Sequence, residues 1–262
     1  MIVRGLLGSR LFCGALGAAG LFCLLEALGR TGVISPTVFP LASTVLSRAA
    51  GLATDPDFRA DVVSTLGAWL LGLLLTVVVA VPAGFLLGTL PRVERALRPL
   101  LEFLRPIPSV ALIPLALVLF SDKFEMEVTL IVYAATWPVL INTMYGLKDV
   151  DPLAKETLRS FGFGPLAVLW RVSLPSTAPF IATGVRLAAA VALIVAISAE
   201  LLAGGSSGIG VFLIEAGGSV EAVEYIVAAA IWAGVIGYVS NGLFVLAERR
   251  MFRWYGARTE AA

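Results

Sequence analysis

The sequence predicts an all-α, polytopic membrane protein with six transmembrane helices. Three observations carry that expectation. The 262 residues are 59% hydrophobic and only 14% charged, with a mean hydropathy of +0.95. Soluble domains carry roughly 25% charged residues, so this chain lacks the polar groups to clothe a water-facing globule. The apolar residues also fall in blocks long enough to cross a bilayer, which takes about 20 residues per helix. Finally, the basic residues segregate to one side of the chain that such blocks would thread.

The spans are expected near Arg10–Gly29, Ser64–Leu90, Ile107–Ser121, Met126–Gly146, Pro179–Ala203 and Ala222–Ala247. The first follows Arg4 and Arg10 and has the look of a signal peptide. Its apolar run is long for one, and no small-x-small site closes it, so a retained helix is expected. The third has a short apolar core, Val110–Phe120, interrupted nearby by Pro106, Pro108 and Pro114. Charge decides that it crosses. With six spans and a cytoplasmic N-terminus, fifteen of the nineteen Lys and Arg residues fall inside, and only Arg30, Arg48, Arg59 and Lys123 fall outside. Basic residues resist translocation, so this split favours both termini inside. Dropping the third span would place Lys148, Lys155, Arg159 and Arg171 outside.

Between the first two spans, Val38, Leu41, Ala42, Val45, Leu46, Ala49 and Leu52 recur at helical spacing. They predict a short helix on the outer surface, either packed over the bundle or offered to an outside partner. Asp55-Pro56-Asp57 turns the chain back to the bilayer. Small residues such as Ala182, Gly184, Ala188, Ala189, Ala190, Ala192 and Ala196 suit close helix packing in lipid. No repeat, low-complexity tract or linker divides the chain. A single integral membrane domain over residues 1–262 is expected, with its core near 60–250 and one long inside loop near 147–178.

Composition excludes several chemistries. With no histidine, histidine-ligated zinc, haem-type ligation and histidine-based triads are ruled out. A net charge of +1 provides no field for nucleic acid. Cys13 and Cys23 lie about 15 Å apart along one helix and cannot bridge each other.

The inside loop carries the specific signal. Asp151-Pro152 opens a helix through Leu153, Glu156, Thr157 and Ser160, and Phe161-Gly162-Phe163-Gly164-Pro165 breaks it. A second short helix is expected at Leu166–Arg171, stopped by Leu174-Pro175. Two short helices at a glycine elbow form a knob that something in the cytoplasm could grip.

Glu156-Thr157-Leu158, three residues, Gly162, nine residues, then Val172-Ser173-Leu174-Pro175 resembles the EAA motif of ABC importer permeases. Thr157 and Leu158 stand where that motif has alanines. Further segments resemble the nitrate, sulfonate and taurine permease family. They are Arg105-Pro106-Ile107-Pro108, Leu112-Ile113-Pro114-Leu115, Pro138 with Asn142-Thr143 and Gly146-Leu147, Thr183-Gly184-Val185-Arg186, Ala199-Glu200 and Gly208-Ile209-Gly210. Ser121-Asp122-Lys123-Phe124-Glu125 lacks the glycines usual in that family at this point.

The resemblance implies a type I ABC importer permease fold with cytoplasmic coupling helices, in a bacterial inner membrane. It implies a homodimer on two ATP-binding cytoplasmic subunits, fed by a periplasmic or lipid-anchored solute-binding protein. The solute would be a small organic or inorganic anion such as a sulfonate, taurine or nitrate. The chain has no Gly-x4-Gly-Lys-Ser/Thr loop, so ATP and Mg belong to the partner subunits, and this chain holds no cofactor, metal or catalytic residue. Glu156, Thr157, Leu158, Gly162, Leu166, Val168, Leu174 and Pro175 are the expected ATPase-coupling residues.

Ser109, Thr136, Asn142, Thr143, Arg186, Ser198 and Glu200 are candidates for the gate or solute path, though an intramembrane Asn, Thr or Ser commonly bonds a neighbouring helix. Arg186 either snorkels or pairs with Glu102 or another inner acid. Glu200 either shapes the outer gate, meets the binding protein or lies among headgroups. An autonomous secondary transporter would need inverted repeats and a buried acid at mid-membrane. A membrane enzyme would need a convergent catalytic set. Neither explains the Glu156–Pro175 loop.

The charge split predicts where that loop lies. With Cys13 and Cys23 replaced by alanine, a cysteine introduced by Ser160→Cys should react with a membrane-impermeant maleimide only after the vesicles or cells are opened. Labelling of intact cells would invert the topology.

Overall fold

The computed structural model describes residues 10–33, 40–218 and 221–252. All regular structure among them is helical. The elements are α1 (Arg10–Arg30), α2 (Ala42–Leu52), α3 (Pro56–Thr89), α4 (Pro91–Leu104), α5 (Ile113–Leu119), α6 (Lys123–Lys148), α7 (Pro152–Ser160), α8 (Pro165–Ala203), α9 (Ile209–Ala216) and α10 (Ala222–Met251). Helices α3, α6, α8 and α10 are each long and apolar enough to cross a membrane. The first expected span is α1, whose 21 residues reach ~31 Å. The tail beyond Phe252, with Arg253, Trp254, Tyr255 and Arg258, lies outside the described residues, as does Val38.

The third expected span is corrected. Ser109–Leu112 forms a 3-10 turn and α5 only seven residues, too short to cross alone. Together with α4 this segment makes a fifth candidate span, but one bent by 79°. Pro106 and Pro108 remove two amide donors at the joint, so the chain cannot run straight there. Helix α4 itself has no buried residue. It begins on Pro91, and its Leu97, Leu100 and Phe103 are exposed.

Contacts divide the chain into two compact units. One comprises the chain up to Arg59 with Phe212–Gly234. Here α2 buries Ala42, Val45, Ala49 and Leu52, the spacing expected of one helical face. Glu26 of α1 accepts from the Ser43 amide at 3.0 Å and its hydroxyl at 2.9 Å, which ties α1 to the first turn of α2. Arg48 pairs with Glu221 and, at 3.0 Å, with Glu224, and the bond to Glu224 raises its guanidinium pKa. Trp232 Nε1 donates to the Ala49 carbonyl at 2.8 Å. Asp55 accepts from the amides of Asp57 and Phe58, which caps α3 at the expected turn.

The other unit, Ala60–Val211 with the chain from Val235, is organised around α6. Its packing surfaces are glycine and alanine. A Cβ at Gly72 would lie 2.5 Å from Ile131 Cγ2, one at Gly84 2.7 Å from Thr143 Cβ, and one at Gly146 2.7 Å from Phe180 Cβ. At Gly184 the added atom would meet Asn142 Cβ at 2.9 Å, the Pro138 carbonyl at 3.0 Å and Val139 Cα at 3.1 Å. Ala135, Ala188, Ala192, Ala196 and Ala199 are wholly buried. Close backbone approach is how helices gain packing contact where lipid supplies no hydrophobic drive.

Because the obstacle at Gly184 is backbone, Gly184→Ala should destabilise the protein by about 1–3 kcal/mol. Gly242, where an added Cβ would meet nothing within 4 Å, should tolerate alanine. Thermal unfolding of the two variants in the same detergent checks the difference.

Candidate functional site

The loop between α6 and α8 stands at the end of the second unit that carries Lys148. Asp151 caps α7 by accepting from the Leu153 amide at 2.8 Å, and Pro152 starts it. The elbow lies where expected: Gly162 has φ +83°, a conformation that side-chain-bearing residues avoid, and its amide donates to the Arg159 carbonyl at 2.9 Å. Arg171 then lies over the Phe163 ring at 4.7 Å, bracing the elbow against the next turn.

The second helix differs from expectation. It does not stop at Leu174-Pro175 but passes through a π turn, Leu169–Ser173, into the long helix ending at Ala203. The wider π register makes room for the Pro175 ring, which in an unbroken α-helix would clash with the carbonyl four residues back. A continuous rod therefore joins the loop to the membrane core.

Glu156 and Thr157 are exposed, Leu158 is half-buried, and Leu166 is 68% exposed. Leu174 is half-buried and Pro175 exposed. Val168 is only 4% exposed, so it holds the knob together and does not face outward, against expectation. Leu153, Phe161 and Trp170 are the exposed apolar groups that motif spacing left out. Leu153 stands out in sequence as a hydrophobe among polar neighbours, whereas Phe161 and Trp170 lie among other apolar residues and carry no such signal.

Of the residues named for a path, three are bonded within their own helix. Thr136, Asn142 and Thr143 each bond back to a carbonyl four residues earlier, at 2.7, 2.8 and 2.7 Å. Thr143 is wholly buried against Gly84 of α3, and Asn142 packs on Gly184 of α8, so these two neighbours meet different helices. Ser109 and Ser198 are half-buried. Arg186 pairs at 3.5 Å with Glu248 of α10, not with Glu102, which Arg98 holds at 2.9 Å.

Glu200 is neither a surface group nor a headgroup contact. It is 4% exposed and clasps the turn after α8. One carboxylate oxygen accepts from Thr65 Oγ1 at 2.7 Å and the other from the Gly210 amide at 2.8 Å. Thr65 in turn accepts from the Ile209 amide at 2.9 Å, and Asp61 accepts from the Gly208 amide at 2.8 Å. Gly208, at φ +144°, lies so close over the carboxylate that a Cβ would collide with Glu200 Cδ. Beside this clasp, Asp122 caps α6 by accepting from the Phe124 amide, and Lys123 Nζ donates to the Ala203 carbonyl at 2.8 Å.

The comparisons with known proteins agree with this architecture. Residues 77–253 match the family model for the binding-protein-dependent transport system inner membrane component. The chain belongs to that family: it is a membrane permease subunit of an ABC importer. It is 30% identical to the nitrate import permease protein NrtB of Leptolyngbya laminosa, over 74% of this chain and 68% of NrtB. It is 29% identical to the taurine transport system permease protein TauC of Escherichia coli, over 86% and 82%. Among solved structures, it matches a chain of the bacterial alginate ABC transporter with a TM-score of 0.63, at 14% identity and 94% coverage of each chain.

Thr65→Val should leave a buried Glu200 oxygen and the Ile209 amide without a partner. A cost of about 1–3 kcal/mol is expected, with faster proteolysis at Gly204–Gly208. Thr65→Ser should retain the wild-type unfolding temperature to within a degree or two.

Proposed function

We propose that this chain is the membrane-spanning half of a type I importer for a small anion of the sulfonate, taurine or nitrate class. Two copies would form the pathway, on two cytoplasmic ATP-binding subunits that hold ATP and Mg. A periplasmic or lipid-anchored binding protein would deliver the solute at the Glu200 end. The chain would lie in a bacterial inner membrane as one integral domain, both termini and the Asp151–Pro175 loop in the cytoplasm. The nitrate and taurine permeases among its relatives support the solute class.

One observation carries the coupling role. The loop offers Glu156, Leu153, Phe161 and Leu166 to solvent on a rigid elbow that continues without a break into α8. Exposed hydrophobes on a loop braced from within are what a protein partner can grip. ATP-driven closure of the ATPases would move the two loops together, and the rods would transmit that to the spans as a rigid-body switch. Glu156 would engage basic or hydrogen-bonding groups of the ATPase cleft. Glu200 would hold the turn beside the outer mouth in shape as the spans rock.

The chain co-expressed with its genomic neighbours should co-purify with an ATP-binding subunit in mild detergent. Gly162→Pro removes the amide that donates to Arg159 and forbids the positive φ, so it should abolish co-purification or solute-stimulated ATP hydrolysis. The spans should still fold. A wild-type chain that purifies alone and transports in liposomes without ATP would reject the importer reading.

A further inference from the structure

Helix α4 runs alongside α6 in the opposite direction. Its first turn is held by Glu94, whose Oε1 accepts from Nζ of Lys148, the last residue of α6, at 3.0 Å. Its end is held by the Leu104 carbonyl, which accepts from the Tyr133 hydroxyl at 2.8 Å. These contacts are fifteen residues apart on α6, ~22 Å, and ten apart on α4, ~15 Å, with side-chain reach covering the difference. Helix α4 is therefore the first half of the bent span, rising from the Lys148 end toward mid-membrane.

The helix has three flanks. Val93 and Leu101 lean on the buried core of the unit. Leu100 and Phe103, both exposed, make an apolar flank suited to lipid. Arg98, Glu102 and Arg105 recur at i, i+4 and i+7 and so share the remaining flank, with Glu102 ~160° around the helix from Leu100. All three are exposed. Arg98 Nε donates to Glu102 Oε1 at 2.9 Å, yet the two side chains stay 67% and 68% exposed.

Depth makes that flank informative. Glu102 and Arg105 stand eight and eleven residues beyond Glu94, ~12 and ~16 Å along the axis, whereas half the hydrocarbon core is roughly 15 Å thick. Charged groups at such depth face water or protein, because lipid does not solvate them. An arginine can snorkel toward the surface; Glu102 is too short to do so. The backbone independently points the same way. The helix breaks straight after Arg105, Pro106 and Pro108 are exposed, and the two halves meet at 79°. Irregular backbone at membrane depth does not face lipid. Both features lie open on a single copy, so the wall that keeps lipid from them has to come from another chain.

We propose that the Arg98–Glu102–Arg105 flank of α4 lines a water-filled vestibule on the Lys148 side of the membrane, and that a second copy of this chain, presenting the same flank, closes it from lipid. A two-fold axis along the membrane normal sets identical residues opposite each other at equal depth. Glu102 then faces Glu102 and Arg105 faces Arg105, so the two flanks stand apart across water and do not pack. The inference rests on the reading of the chain as a permease subunit that works in pairs, and it names the surface with which the pair encloses the inner half of the path.

The test uses the full chain co-expressed with its genomic neighbours, in inverted membrane vesicles, with Cys13 and Cys23 replaced by alanine. Glu102→Cys should react with a permanently charged methanethiosulfonate at least tenfold faster than Leu100→Cys, which lies at nearly the same depth on the lipid flank. A flexible bis-maleimide should join two Glu102→Cys chains into a covalent dimer and leave Leu100→Cys monomeric. Thermal unfolding shows that each variant is folded, and Arg105→Cys supplies a second position on the flank if Glu102→Cys is not. Equal reaction rates on the two flanks would overturn the vestibule. A covalent dimer from Leu100→Cys, or none from the charged flank, would overturn the placing of the second copy. Either failure in a chain that still elutes as a dimer with an ATP-binding subunit bears on the flank alone. A cysteine-free chain that elutes as a monomer without such a subunit removes the permease reading itself, and the vestibule with it.

Discussion

The close backbone approach of α6 and α8 at Gly184 is what the second unit is built on. A helix in lipid gains little from burying one more leucine, because the lipid tail is as apolar as the protein. Contact has to come from shape. Gly184 lets α8 lie against the carbonyl of Pro138 and the Cα of Val139, while Gly72 and Gly84 bring α3 against Ile131 and Thr143. Helix α6 is thereby held between two others.

The same constraint explains why most intramembrane polar side chains do nothing visible. In hydrocarbon each must find a partner, and the nearest acceptor is the carbonyl one turn back. Thr76, Thr129, Thr136, Thr143 and Thr183 all take it. The exceptions are then informative. Glu200 reaches across to Thr65 of α3 and to the Gly210 amide at the start of α9, so its carboxyl group is committed to holding a glycine-rich turn in a conformation few other residues could adopt. At the opposite end the chain does the reverse, leaving Leu153, Phe161, Leu166 and Trp170 in solvent around a capped elbow. One end is closed by its own hydrogen bonds; the other presents a surface.

Most of the architecture was legible in composition and spacing. Hydropathy located α3, α6, α8 and α10 to within a few residues at most ends, since a bilayer imposes its length on any helix that crosses it. Asp151-Pro152 and Gly162 marked α7 and the elbow because caps and positive φ are local requirements. The bend between α4 and α5 was half legible. Three prolines weakened the apolar segment, but the direction and size of the bend depend on what the pieces lean against.

The capped two-helix elbow and the membrane class are thus properties of the sequence alone, since they arise from short-range backbone chemistry and from the thickness of lipid. Which polar residue faces what was decided only by tertiary structure. Thr143 and Asn142 are neighbours in the chain yet pack against different helices, and Val168 turns inward while Leu166 turns out. Glu200 finds Thr65, and Arg186 finds Glu248, across 135 and 62 residues of chain. Such pairings follow from helix rotation and approach, which are set by the sum of many small packing contacts and have no signature at any single position.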